Sequence, residues 1–157
     1  MGRQGDVGRI LGAFLLGAAL LGPSMARASE PTFDCIPADI TGTAGSDYLV
    51  GGAGSQSITG GGGSDRIEGN GGHDWICGGA GDDDRAGIGI DGGDDNDSLR
   101  GDGDNDLISG GPADDDVIGD GGNDTLNGNA GDDELWGGAG NDSCSGGGGN
   151  DQIHTCE

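Results

Sequence analysis

The chain has 157 residues, 41 of them glycine, and sets 29 acidic side chains against 6 arginines and no lysine, for a formal net charge of −23. That length makes one domain at most, and 3% aromatics on a backbone so rich in glycine, which loses the most conformational freedom on folding, exclude a fold held by a wide apolar core. The acidic excess excludes a nucleic-acid partner, whose phosphates it would repel, and selects cations or basic partners, although an acidic disordered polypeptide has the same composition.

Residues 1–28 have the features of a secretory signal peptide. Arg3 and Arg9 precede an apolar run from Ile10 to Leu21, Pro23 ends it, and Ala26-Arg27-Ala28 offers small residues for cleavage after Ala28. The run is shorter than the roughly 20 apolar residues that a membrane-spanning helix needs. Cleavage removes Arg3, Arg9, Arg27 and Asp6, so the mature chain keeps 28 acidic and 3 basic residues and a formal charge of −25. Export implies an extracellular, oxidising setting in which disulfides persist and calcium is plentiful. Residues 29–41 are then an N-terminal capping segment.

From Gly42 a nine-residue frame takes over, with repeats starting at 42, 51, 60, 69 and 78 and, after five extra residues at 87–91, at 92, 101, 110, 119, 128, 137 and 146. The sixth place of these twelve repeats is aspartate in eleven: Asp47, Asp65, Asp74, Asp83, Asp97, Asp106, Asp115, Asp124, Asp133, Asp142 and Asp151, with Gln56 the exception. The eighth place is apolar in eleven: Leu49, Ile58, Ile67, Ile76, Leu99, Ile108, Val117, Leu126, Leu135, Cys144 and Ile153, with Arg85 the exception. Glycine at the first and fourth places permits a positive φ and a tight turn, and the last three residues of each unit make a very short strand. Stacked units bring the eighth places into one internal ladder and the sixth-place carboxylates into rows that repel. A divalent cation between carboxylates, completed by turn carbonyls, would turn that repulsion into cohesion, and calcium suits a flexible shell of about 6 to 8 oxygens better than magnesium's strict octahedron.

On these residues the chain resembles the RTX (repeat-in-toxin, haemolysin-type) calcium-binding nonapeptide proteins, over residues 42–154. The resemblance implies an all-β fold, a parallel β-roll or right-handed β-solenoid in which successive nonapeptides form alternate sides. It also implies Ca²⁺ between the turns of repeats i and i+2, held by the eleven aspartates and backbone carbonyls. The five repeats before the break then give three sites and the seven after it five, in two blocks, with a weakened site at Gln56. An N-terminal leader departs from the C-terminal export signal usual among the family's large toxins and proteases, and no catalytic domain accompanies the repeats. The resemblance therefore supports calcium binding rather than a toxin or protease activity.

The insertion 87–91, beside Arg85, is expected to bulge. With Gly92 it spells G-x-G-x-x-G, but Asp82, Asp83, Asp84, Asp94 and Asp95 would repel a nucleotide's phosphates. An EF-hand starting at Asp102 fails at Leu107 and Ala113. The sequons at Asn96, Asn123 and Asn141 are what this repeat produces by default. Four cysteines in an exported chain predict two disulfides; flanking positions favour Cys35–Cys77 and Cys144–Cys156, each tying an end to the roll, with residues 155–157 as the C-terminal cap. A zinc site from His73, Cys77, Cys144, His154 and Cys156 is the rival, without the paired C-x₂-C spacing.

Catalytic and organic-cofactor residues are not found. His73 and His154, expected on exposed positions, have no cleft to work in, and Tyr48, Trp75 and Trp136 are expected as isolated surface aromatics. The expected function is a secreted, non-enzymatic calcium-binding protein that folds on binding several Ca²⁺ ions and has a structural or adhesive extracellular role, its macromolecular partner unidentified. The alternatives are a non-catalytic remnant or accessory of a secreted enzyme, and an acidic disordered polypeptide.

Overall fold

The eighth-place residues, spaced so that every second one falls in the same sheet, dictate the architecture of the computed structural model, which describes residues 38–84, 87 and 89–157. The expected leader and Cys35 lie outside the described residues. Thirteen strands follow one another: β1 (Ile40–Thr41), β2 (Tyr48–Val50), β3 (Ser57–Gly62), β4 (Arg66–Gly71), β5 (Trp75–Ala80), β6 (Ile90–Asp94), β7 (Ser98–Gly103), β8 (Leu107–Pro112), β9 (Asp116–Gly121), β10 (Thr125–Ala130), β11 (Glu134–Ala139), β12 (Ser143–Gly148) and β13 (Gln152–His154). Odd-numbered strands pair in parallel into a seven-stranded sheet and even-numbered ones into a six-stranded sheet. At two strands per turn this is a parallel β-solenoid of about six turns.

The strands are longer than three residues. β4, for example, begins at the seventh place of one repeat, Arg66, and runs to the third of the next, Gly71, leaving places four to six as the turn. Register follows the frame: Ile58 pairs with Ile76, Thr125 with Leu107 and with Ser143, each 18 residues apart. Between the sheets lies a core one side chain wide, formed by Ile58, Ile67, Ile76, Ile90, Leu99, Ile108, Val117, Leu126 and Leu135, with Ile40, Leu49 and Cys144 packed on it half-buried. Ile153, expected inside, is 48% exposed, because β13 is paired on one side alone.

Two features correct the expectation. The vacancy assigned to Arg85 is filled by Ile90, which pairs with Ile67 on one side and Ile108 on the other. The five extra residues are therefore accommodated between Asp83 and Ile90, and the apolar ladder runs on across them. Ile40 in β1 adds a further rung from the segment expected merely to cap, aligned with Ile58.

At the other end Cys144 and Cys156 form the expected disulfide. Cys77 is also disulfide-bonded, and no described cysteine is free, so the thiolates of the rival zinc site are not available. No helix among the described residues is long and apolar enough to cross a membrane.

Because Ile90 is a full member of the ladder, Ile90→Ala should destabilise the folded form by about 2–4 kcal/mol, whereas Ile153→Ala should cost under about 1 kcal/mol. Denaturant unfolding with calcium present measures both; equal effects would contradict the rung assignment.

Candidate metal centres in the turns

Every turn ends on its sixth-place residue, and these residues are linked along the roll. The backbone N–H of each except Asp142 and Asp151, the last of their rows, donates to the carboxylate Oδ1 of the sixth-place residue two repeats on, at 2.7–3.1 Å. Two rows result. The row entering the six-stranded sheet is Asp47, Asp65, Asp83, Asp106, Asp124, Asp142. The row entering the seven-stranded sheet is Gln56, Asp74, Asp97, Asp115, Asp133, Asp151. Both cross the insertion unbroken, through Asp83–Asp106 and Asp74–Asp97. Ten consecutive pairs are joined in this way.

The second carboxylate oxygen carries the chemical content. In Asp74, Asp83, Asp97, Asp106, Asp115, Asp124, Asp133 and Asp142, Oδ2 is buried and has no hydrogen-bond partner. A buried carboxylate oxygen left unsatisfied is costly, and a cation is what would satisfy it. The rows end differently. Asp47 Oδ2 accepts from the N–H and hydroxyl of Thr43 (2.6 and 2.8 Å), and Gln56 Oε1 accepts from the Gly52 N–H (2.8 Å), so both leading members are served within their own turns.

The first-place glycine has a reason other than the expected one. Positive φ falls at the second and fourth places, at Gly138 and Gly140 for instance, and at non-glycine Asp102, Asp104, Asp120 and Asn129. The first place keeps an ordinary φ but has no room. A Cβ on Gly137 would meet Asp142 Oδ2 and the Thr155 carbonyl oxygen, both at 2.6 Å, and one on Gly119 would strike Asp124 Oδ2 and the Gly137 carbonyl. Carboxylate and carbonyl oxygens thus converge on the same face of this glycine. Among the described residues no three His, Cys, Asp or Glu side chains gather to hold a metal, so a shell around an Oδ2 must be completed by main-chain oxygens. That donor set, all oxygen with few charges, fits a hard cation.

Burial drives the electrostatics. Removal from water pushes the carboxyl of Asp106 up to about 8, Asp97 and Asp115 to about 7, and Asp83 and Asp124 to about 6; the donated N–H works against the shift, and neighbouring carboxylates add to it. Asp74 and Asp133 are raised for the same first reason.

A second ladder escaped the sequence reading. Fifth-place side chains accept from the N–H of the fifth-place residue two repeats later: Asp82 from Asn105, Asn105 from Asn123, Asn123 from Asn141, Asp114 from Asp132, Asp132 from Asn150 and Ser46 from Ser64. The signal is present in the sequence, since every fifth place is Ser, His, Asp or Asn. Tyr48 and Trp75 are exposed as expected; Trp136 is not, being 4% exposed and stacked on the half-buried His154 with ring centroids 5.0 Å apart.

Folded pKa values above the unfolded one mean that the protonated roll is the more stable. Without metal this stabilisation is complete below about pH 4 and is lost as pH rises through 6 to 8. Far-UV circular dichroism of the metal-free chain should therefore show β signal near pH 4.5 that fades by pH 8. A metal-free signal that grew with pH would contradict this.

A family model described as the RTX calcium-binding nonapeptide repeat matches in four copies, over residues 39–55, 50–84, 91–126 and 118–153, passing over the insertion between 84 and 91. No curated protein matches the chain. Matched over most of its length and folded as the parallel solenoid that such repeats imply, the chain belongs to the RTX calcium-binding nonapeptide repeat family.

Proposed function

We propose that this protein is a secreted calcium-binding protein whose roll and metal sites form together. The ions lie along the two sixth-place rows, with Asp65, Asp74, Asp83, Asp97, Asp106, Asp115, Asp124, Asp133 and Asp142 as principal side-chain ligands. Asp47 and Asp151 are terminal and weaker ones. The single observation that carries this is the set of eight buried, unpartnered Oδ2 atoms in two rows of like charge. When bound, Ca²⁺ supplies positive charge and accepts oxygen lone pairs. Asp Oδ1 meanwhile stays on the neighbouring turn's N–H, the first-place glycine keeps the approach open, and turn carbonyls complete the shell.

The energetics favour coupling over a preformed site. Carboxylates brought together in a dry turn repel and lose hydration, and the ladder that opposes this is one residue wide. Each ion that binds the folded form alone adds about 1.4 kcal/mol per tenfold excess over its dissociation constant, and extracellular modules commonly work at about 10⁻⁴ to 10⁻³ M. The expected leader supports secretion, and a rod of stacked repeats suits a structural or adhesive role at or beyond the cell surface. No catalytic step is assigned.

Calcium titration followed by circular dichroism tests the proposal. The chelated chain at neutral pH should be largely unordered, gain β signal steeply with millimolar Ca²⁺ and lose it to chelator, while Mg²⁺ substitutes poorly because it holds its water. Asp124→Ala with Asp142→Ala should shift the midpoint to higher calcium, and an unmoved midpoint would sink the ligand assignment. Gly119→Ala, which adds one methyl where Asp124 Oδ2 sits, should raise the calcium requirement as well, more than Gly103→Ala, where a Cβ meets nothing within 4 Å.

A further inference from the structure

Three departures from the repeat pattern meet in one place. Gln56 is the one sixth-place residue of the twelve repeats that is not aspartate, His73 the one fifth-place histidine and Trp75 the one seventh-place tryptophan. With Asp39, Ser55 and Ser57 they line an open groove of about 380 Å³ where the turns enter the seven-stranded sheet. Seventh places precede the inward eighth places, so they face outward, and Trp75 is 53% exposed. Ser57 pairs with Trp75, and the Asp39 N–H donates to the Ser57 carbonyl oxygen at 2.8 Å, so Asp39, Ser57 and Trp75 form one outward column. A small serine between an indole and a carboxylate leaves a gap two strand spacings wide, about 10 Å.

The polar groups around this gap have hydrogen-bonding capacity to spare. Asp39 Oδ2 accepts the Ser57 N–H at 3.0 Å, which leaves Oδ1 as an acceptor. Gln56 Oε1 accepts the Gly52 N–H at 2.8 Å, which leaves the amide nitrogen with its donors. His73 Nδ1 lies 2.8 Å from the Asn96 carbonyl oxygen, which can only accept, so Nδ1 carries the proton and Nε2 of the neutral ring is an acceptor. Ser57 Oγ is buried with no hydrogen-bond partner, a cost that an incoming polar group would relieve.

We propose that this groove binds an uncharged pyranose sugar, with one C–H face of the ring laid on Trp75 and its hydroxyl edge turned to Asp39, Gln56, Ser57 and His73. A pyranose has an apolar face and a rim of hydroxyls that each donate and accept. The groove answers with one flat ring and a mixed set of donors and acceptors. Other ligand classes fit worse. A hydrocarbon would leave the polar groups unpaired, an anion meets Asp39 in a chain of net charge −23, and an ammonium group finds one aromatic ring rather than a cage. The calcium-bound roll serves this site only as its scaffold, and the site supplies a ligand class for the adhesive role.

Saturation-transfer difference NMR on the calcium-loaded protein tests this, with methyl β-D-glucopyranoside, methyl β-D-galactopyranoside, cellobiose and lactose as probes. Binding is expected at a dissociation constant of about 10⁻³ M, with transfer concentrated on the C–H protons of one ring face. Trp75→Ala should weaken it by about tenfold or more, Trp75→Tyr should keep most of it, and Asp39→Asn should weaken it several-fold. Circular dichroism of the same samples separates loss of the site from loss of the calcium-formed roll, because Trp75 lies outside the apolar ladder and its variants should keep the β signal. Disaccharides that bind at least as tightly as the methyl glycosides identify the ligand as part of a glycan chain, and weaker ones identify it as a free sugar. No transfer to any of the four probes while the roll is folded, transfer unchanged in Trp75→Ala, or tetramethylammonium bound in place of the sugars, would each overturn the proposal.

Discussion

Everything in this roll depends on placing carboxylates of successive turns directly over one another, each accepting one N–H and each presenting a second oxygen to a dry interior. Repetition at an 18-residue spacing makes the contact unavoidable: a fold that stacks identical turns must stack identical charges. The ladder of isoleucine, leucine and valine sets strand register and excludes water, but it is one side chain wide and has no second layer to lean on. A cation bound between the turns would change the sign of the dominant interaction, and the first-place glycine leaves room for the carboxylate and carbonyl oxygens that converge there.

The sequence made the ladder and the aspartate rows legible because both are columns of a fixed frame, and a column survives any uncertainty about where a strand begins. Three things were hidden for physical reasons. Ile90 was missed as a rung because counting residues is not counting rungs: a loop between Asp83 and Ile90 changes the count and leaves the pairing intact. First-place glycine was read as a backbone conformation when it is a matter of space, and space depends on Asp Oδ2 and on a carbonyl from another turn. Trp136 is expected on the surface as an isolated aromatic, and nothing in a local pattern reveals that His154, on the neighbouring strand, stacks on it. The fifth-place ladder is visible in the sequence but not readable there, since Ser, Asn and Asp look alike only after their shared task, accepting a main-chain N–H, is known.

The two outer faces of the roll differ although the repeats that make them alternate along one chain. On the seven-stranded sheet Cys77, Ile118 and Trp136 are buried at the ninth place, beside Thr59, Arg100 and His154, whereas on the six-stranded sheet Val50, Glu68, Ser109, Asn127 and Ser145, with Asp91 in the same column, are all half-buried or exposed. Odd and even repeats are therefore under different demands at that single position while remaining interchangeable at the sixth and eighth. The structural repeat is the full turn of 18 residues, two nonapeptides long.

The sixth-place hydrogen bonds all run one way: the earlier turn gives the N–H and the later turn brings the carboxylate. A half-built roll that has formed from its N-terminal end thus leaves one sixth-place main-chain donor open in each row, and the next arrival is an anion. Addition of the next turn therefore sets each new carboxylate on an N–H that is already waiting, so growth from the N-terminal end satisfies one donor of each row at every step.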